Sequence, residues 1–227
     1  MNSGENRFNP EFIRAMNAAL DEVEGAARPS ALVTTGEGKF YSNGLDLAWM
    51  GTEGVDAIAF VRTVHRLLGR VLGFPRPTVA ALNGHAFAGG GMLALAHDFS
   101  VMRADRGYFC LPEADIGIPF TAPMTALIAG RLPQPTLHEA CTTGRRYGAP
   151  EALKGGIVAA IAEESEVLPM AIARAEALSN KEPSTLKAIK RGLYAHALQL
   201  LEGDGDKAPA AETRRRARGH EYLSRFS

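Results

Sequence analysis

The stretch NGHAFAGGGMLALAHDF, Asn83 to Phe99, constrains this chain more than any other. It follows the short apolar run Thr78 to Leu82, which reads as a buried strand, and Asn83-Gly84 breaks that strand. Gly89 to Gly91 then give way to Met92, Leu93, Leu95 and Ala96, a buried helix opening on Gly90 or Gly91. Glycine in a first helical turn lets another group come close to backbone N–H groups that have no partner inside the helix. Backed by the helix dipole, those groups stabilise an anion. Taken alone, a run of three glycines is explained as readily by tight helix–strand packing.

A second stretch is of the same kind. The β-branched run Ala31 to Thr35 reads as a strand stopped by Gly36, and the loop Gly36 to Asp46, containing KFYSNGLDL, opens a short helix. Two such turns facing each other would build an oxyanion hole. Around them, Asn9-Pro10 starts a helix that runs to about Glu24 with Phe12, Ile13, Met16, Leu20 and Val23 on one face. Ile58, Val61, Val64, Leu68, Val71 and Leu72 mark a second amphipathic helix closed by Gly73. Phe99 to Met102, Tyr108 to Leu111 and Ile157 to Ile161 read as further strands, Pro123, Pro135 and Pro150 as first helical positions, and Val167 to Leu201 as helix interrupted near Asn180 and Pro183. This alternation argues for an α/β core of parallel strands over 1–165 and a helical region over 166–227.

Composition narrows the function. Lys and Arg number 25 against 25 Asp and Glu, so a generally basic nucleic-acid binder is not expected. The longest mostly apolar uncharged run, Gly84 to Ala96, is far shorter than the roughly 18 residues of a membrane span. Cys110 and Cys141 form no CxxC, MNSGENRFNP is not a secretory leader, and SRFS is not a lipidation or peroxisomal address, so a cytoplasmic protein is expected. GxSxG, HExxH, GxxxxGK[ST] and GxGxxG are all absent, as is any metal-ligand spacing. The chemistry must therefore rest on backbone groups and a few carboxylates.

FYSNGLDL, NGHAFAGGGMLALAHDFSVMRAD and YFCLPEADIGI occur in that order. Together they resemble the crotonase (enoyl-CoA hydratase/isomerase) superfamily, and most closely its Δ3,Δ2-enoyl-CoA isomerase type. The resemblance covers Gly4 to Ile161, and the helical C-terminal third is similar to the family's trimerisation region. It implies a ClpP/crotonase-like spiral of ββα units, an acyl-CoA thioester as substrate, coenzyme A only as part of that substrate, and a homotrimer or pair of trimers. Fatty-acid β-oxidation is the metabolic setting it implies. No permanently bound cofactor, metal, nucleic acid or membrane is expected.

Residue by residue, the resemblance puts the two thioester-holding N–H groups at Leu45 and Gly90. Hydratases of the family carry two glutamates, one three residues after the central glycine and one in a PE motif. Here the first position is Leu93 and the second Glu113. A single glutamate can remove a proton from C2 and return it to C4, which shifts a double bond. Leu93 is expected to face the substrate and exclude water. Lys39 matches a CoA-phosphate contact, Ser42, Asn43, Gly44, Asp46 and Leu47 match the loop around adenine and pantetheine, and Lys190 lies near a helix position that supplies a phosphate contact in some members. Asp46 is also expected to cap its loop, and Asp98 the helix end or strand start.

Other residues are read as background. His65 is expected on a polar helix flank, while Trp49, Phe60, Phe120 and Met124 are acyl-pocket or core residues. Two departures from the family stand out. Family members begin with one or two strands before the segment matching NRFNPEF, so either the start is misassigned or an edge strand is lost. Arg214 to Arg218 is unusually basic and reads as a solvated helix face. Hydration is the competing activity, and RNA binding through that arginine cluster the remote one.

Overall fold

A computed structural model describes residue 1 and residues 4–203. The Arg214 to Arg218 cluster and nearly all of the linker from Gly203 to Ala211 lie outside the described residues. After α1 (Pro10–Glu24), the chain repeats one unit in which two strands are followed by helix. The first unit is β1 (Leu32–Thr35), β2 (Phe40–Ser42), α2 (Leu47–Met50) and α3 (Ala57–Leu72). The second is β3 (Thr78–Leu82), β4 (His85–Phe87) and α4 (Gly89–Ala96). The third is β5 (Phe99–Arg103), β6 (Phe109–Cys110), then α5 (Glu113–Ile116), α6 (Ala122–Arg131), α7 (Gln134–Thr143) and α8 (Ala149–Lys154). The strand β7 (Ala160–Ala162) and the helices α9 (Glu164–Leu178), α10 (Pro183–Leu193) and α11 (Ala195–Glu202) close the described chain.

The first strand of each unit joins a four-stranded parallel sheet, β1-β3-β5-β7, and the second joins a three-stranded parallel sheet, β2-β4-β6. Each unit therefore ends its second strand at the edge of a loop that feeds a helix. The strands β2 and β4 were not among the sequence expectations; both are three residues long and lie in the segments expected as loops. The last strand is shifted from Ile157–Ile161 to Ala160–Ala162, because Ile157 and Val158 are drawn into the main core instead. Pro123, Pro135 and Pro150 sit at the second helical position, behind Ala122, Gln134 and Ala149.

All five residues of β3 are buried, and so is the whole of α4. This agrees with parallel strands covered on both faces. One face of the large sheet packs on the main core with α1, α3 and α4; Val79, Ala81 and Val101 on the other face meet Val167, Ala171 and Ala175 of α9. The helix α9 thus covers the sheet itself, and α11 packs on α3 and α6. No helix among the described residues is long and apolar enough to cross a membrane.

Candidate active site

The helix α4 begins one residue earlier than expected, at Gly89, with Ala88 before it. Ala88 has φ 48° and ψ −121°, a conformation that L-residues avoid, and its side chain makes no cap hydrogen bond. Strain of this kind, worth about 1–3 kcal/mol, persists only where the surroundings enforce it. The first backbone bond of the helix runs from the Met92 N–H to the Ala88 carbonyl. The N–H groups of Gly89, Gly90 and Gly91 have no hydrogen-bond partner among the described residues.

The first loop meets this helix directly. Gly44 has φ 76°, and a Cβ on it would lie 2.8 Å from the Gly89 nitrogen. A Cβ on Gly90 would lie 2.2 Å from the Ser42 carbonyl oxygen. Glycine is required at both places so that the two turns can touch. The loop is held in place by the segment before α1: the Phe8 N–H donates to Gly44 and the Asp46 N–H to Phe8. Ser42 is fully buried, its hydroxyl donating to the Asn6 carbonyl and accepting from the Gly44 N–H. Between these bonds the Leu45 N–H is left without a partner among the described residues.

Beside the two turns lies a cavity of about 260 Å³. Leu45, Gly89, Met92 and Glu113 line it, together with the apolar Met50, Val61, Phe120 and Met124. Glu113 is 7% exposed, and its Oε2 has no hydrogen-bond partner. Burial pushes its carboxyl up to about 7, against which its own backbone amide is the one opposing influence. A carboxyl titrating near neutrality can both take and return a proton.

Glu5 also lines the cavity, but it is a different kind of carboxylate. Its Oε2 accepts from Arg7 Nε at 2.8 Å and from Asn43 Nδ2 at 2.7 Å. Its burial, which works the other way, is outweighed by these bonds and by the nearby cations, and its carboxyl is held below the usual range. Glu5 therefore stays ionised and engaged, while Glu113 is free to exchange a proton.

Of the residues singled out in the sequence, Glu113, Leu45, Asn43 and Leu47 line the cavity; Gly44 and Gly90 form the contact between the two turns, and it is Gly89, one residue before Gly90, that lies on the cavity wall. Asp46 caps α2, its Oδ1 accepting from the Trp49 N–H. Lys39 is exposed near the cavity-lining Phe40, its Nζ 5.5 Å from the ring centre. Ser42 is buried too deeply to touch a ligand through its side chain and acts on the loop. Among the described residues no group of His, Cys, Asp and Glu could hold a metal ion.

Three expectations are corrected. Leu93 does not face the cavity; it is fully buried in the core, and Met92 lines the cavity instead. The reason is helical phase: Gly90 is pressed against Ser42, so the residue three positions on is directed inward with it. Lys190 makes no contact with the cavity; it is 3% exposed, its Nζ donating to Asp98 Oδ2 at 2.7 Å and to the Arg76 carbonyl at 3.0 Å. A lysine buried in that pair cannot reach a ligand phosphate. His65 is buried at 3% rather than lying on a polar flank, with Nε2 2.9 Å from the hydroxyl of the cavity-lining Thr121.

Sequence reasoning missed Glu5, Met50, Phe87, Ala88, Cys110 and Arg146, which also line the cavity. Phe87 and Ala88 stand directly before the glycines and Cys110 stands inside YFCLPEADIGI, so for these three a signal was available; Glu5, Met50 and Arg146 lie in none of the three motifs. Trp49 and Phe60 pair edge to face at 4.7 Å, with Phe60 in the core, while Phe120 and Met124 line the cavity.

Comparison with known proteins agrees with this arrangement. The enoyl-CoA hydratase/isomerase family model matches residues 2–204. Enoyl-CoA delta isomerase 3 of Arabidopsis thaliana is 35% identical over 208 residues, 87% of each chain. Carnitinyl-CoA dehydratase of Escherichia coli is 36% identical over 160 residues, 70% of this chain and 61% of that protein. Among solved structures, an enoyl-CoA isomerase of Mycobacterium tuberculosis superposes with a TM-score of 0.81 at 27% identity, covering 88% of this chain and 87% of that one.

Proposed function

The chain belongs to the enoyl-CoA hydratase/isomerase family, and from that premise we propose that it shifts the double bond of a 3-enoyl-CoA to the 2-position. Glu113 Oε2 removes a proton from C2. The C–H electron pair moves toward the thioester carbonyl and forms a dienolate, whose oxygen is held by the N–H groups of Leu45 and Gly90. When the dienolate collapses, C4 takes the proton back from Glu113, leaving the double bond between C2 and C3. No water, redox equivalent or second substrate is consumed, and coenzyme A enters and leaves as part of the thioester.

The observation that supports this reading is a buried carboxylate with an unpartnered Oε2 on the same apolar cavity wall as Leu45 and Gly89, where the N–H of Leu45 and those of the Gly89–Gly91 turn have no partner among the described residues. Preorganised donors act most strongly where charge is fully developed, and losing one typically costs about 3–4 kcal/mol of barrier. At the helix turn where the resemblance puts the first glutamate of the family's hydratases, this chain has Leu93, buried in the core, and Met92, which lines the cavity with hydrocarbon. The assembly expected from the resemblance, a homotrimer or pair of trimers, is part of the same proposal and is tested by light scattering.

Glu5 favours a second reading. As another carboxylate on the cavity wall, it allows a water to be held between it and Glu113 for hydration. Its bonds to Arg7 and Asn43 count against it. Parallel assays with 3-enoyl-CoA and crotonyl-CoA separate the two: isomerisation of the first without 3-hydroxyacyl-CoA from the second supports the isomerase, and efficient hydration overturns it.

A further inference from the structure

Phe120 lines two cavities. One is the catalytic cavity, and the other is a groove of about 850 Å³ along α6 and the junction of α10 with α11. The groove is walled by Ala122, Ala126, Ala129, Leu193 and Leu200, with no Asp, Glu, Lys or Arg among its lining residues. Leu193 is 70% exposed. From Ala122 to Gly130 the groove follows nine residues of helix, about 12 Å from first to last at the usual rise.

Phe120 stands on the short connection between α5 and α6, after Gly117, whose φ of 69° ends α5, and Ile118, which is 40% exposed. Phe120 is half-buried and packs against the rim of the main core. On the catalytic side it lines the cavity with Val61 and Met124. Two apolar spaces separated by one aromatic ring fit one ligand shape, an unbranched hydrocarbon that is either stopped at the ring or passes it.

We propose that Phe120 sets acyl chain length: short chains end against its ring, and longer chains pass it and lay their distal methylenes in the α6–α11 groove. This rests on the cavity being an acyl-CoA site. It is tested by binding rather than turnover, with the saturated esters hexanoyl-CoA and palmitoyl-CoA titrated calorimetrically against the full chain. Each methylene that is seated multiplies affinity by up to about fourfold, so palmitoyl-CoA binds much more tightly to the unmodified protein. Ala129→Trp fills the groove at an exposed position away from the catalytic cavity. It is expected to reduce the palmitoyl-to-hexanoyl affinity ratio at least about tenfold, the loss of two or more seated methylenes. Phe120→Ala is expected to raise that ratio.

A ratio unmoved by Ala129→Trp overturns the proposal. So does an unmoved ratio accompanied by a change of oligomeric state in light scattering, which would assign the groove to a second copy of the chain. If both esters bind and only the ratio fails, the chain-length role of Phe120 falls alone. If neither ester binds, the acyl-CoA reading of the cavity falls with it.

Discussion

The two ends of α4 are built oppositely. At the N-terminal end, Gly89, Gly90 and Gly91 keep their N–H groups unpaired, Ala88 is strained, and the Glu113 carboxylate stands without a partner on Oε2. At the C-terminal end the side chains of His97, Asp98 and Lys190 and the carbonyls of Leu93, Leu95, His97 and Asp98 all have partners. Arg131 Nε donates to the Leu95 carbonyl at 2.7 Å, and its Nη2 donates to those of His97 at 2.6 Å and Asp98 at 3.1 Å. His97 is fully buried, and burial pushes it down to about 4, so it is neutral. Because a carbonyl can only accept, His97 Nδ1 donates to Leu93; Nε2 then accepts from the Thr34 hydroxyl, which accepts from Tyr41. Asp98 accepts from Thr78 and Lys190.

Both ends carry buried ionisable groups, so burial alone does not mark a reactive site. What marks it is the lack of partners. A buried polar group without a hydrogen bond costs about 1–3 kcal/mol, and of Glu113, His97, Asp98 and Lys190 only Glu113 carries an unpartnered atom. The guanidinium of Arg131 further complements the negative end of the helix dipole, leaving the positive end directed at the cavity.

The sharpest way to break this contrast is Glu113→Gln at the open end. Isomerisation is expected to fall about 10²- to 10⁴-fold, since only proton transfer needs the carboxylate, while saturated acyl-CoA affinity changes little. Stopped assays on 3-enoyl-CoA alongside binding titrations check both halves. At the closed end, Lys190→Met leaves the Asp98 carboxylate without its ammonium. About 3–5 kcal/mol of folding stability should be lost in urea titrations, with acyl-CoA affinity nearly unaltered. A comparable loss of affinity there would place Lys190 at the ligand after all.

A smaller effect sharpens the comparison from the opposite direction. Glu113 binds its proton more tightly folded than unfolded, so folding stability declines as pH rises from about 4.5 toward 7 and levels off above it. Glu113→Gln removes that decline and should be more stable than the parent by up to about 3 kcal/mol at pH 8, with the gain vanishing below pH 4.5. An inactive variant that melts higher at pH 8 is what stored electrostatic cost at a reactive group produces.

Much of this was legible in the sequence where one segment answers to one local force. The helix α1 with its Asn9 cap, the strands β1, β3 and β5, and the glycine turn before α4 follow from periodicity, capping and backbone freedom. The second strands of the first two units, β2 and β4, were harder to read, whereas β6 was expected as Tyr108 to Leu111. Three residues such as Phe40–Ser42 carry too little pattern, and their partners, His85 and Ala86, are more than forty positions away. Leu93 shows another limit: its direction depends on whether the helix starts at Gly89 or Gly90, and only the contact of Gly90 with Ser42 decides that. Lys190 and His65 were misread because an isolated charged residue on an amphipathic helix gives no sign of its distant partner, Asp98 or Thr121.

The reactivity proposed for the open end of α4 depends on the state of one carboxyl group, and that can be measured directly. With glutamate carboxyl carbons labelled by ¹³C, the difference between wild-type and Glu113→Gln NMR spectra isolates Glu113, which can be titrated from pH 4 to 9 in the unliganded protein. The expected result is a midpoint near 7, matched by a kcat/KM for 3-enoyl-CoA that falls tenfold per pH unit below that midpoint. A midpoint below 5, with kcat/KM flat between pH 5 and 7, would mean that the Glu113 carboxylate is as well satisfied as the groups at the closed end of α4, and the assignment of the open end as the reaction centre would be wrong.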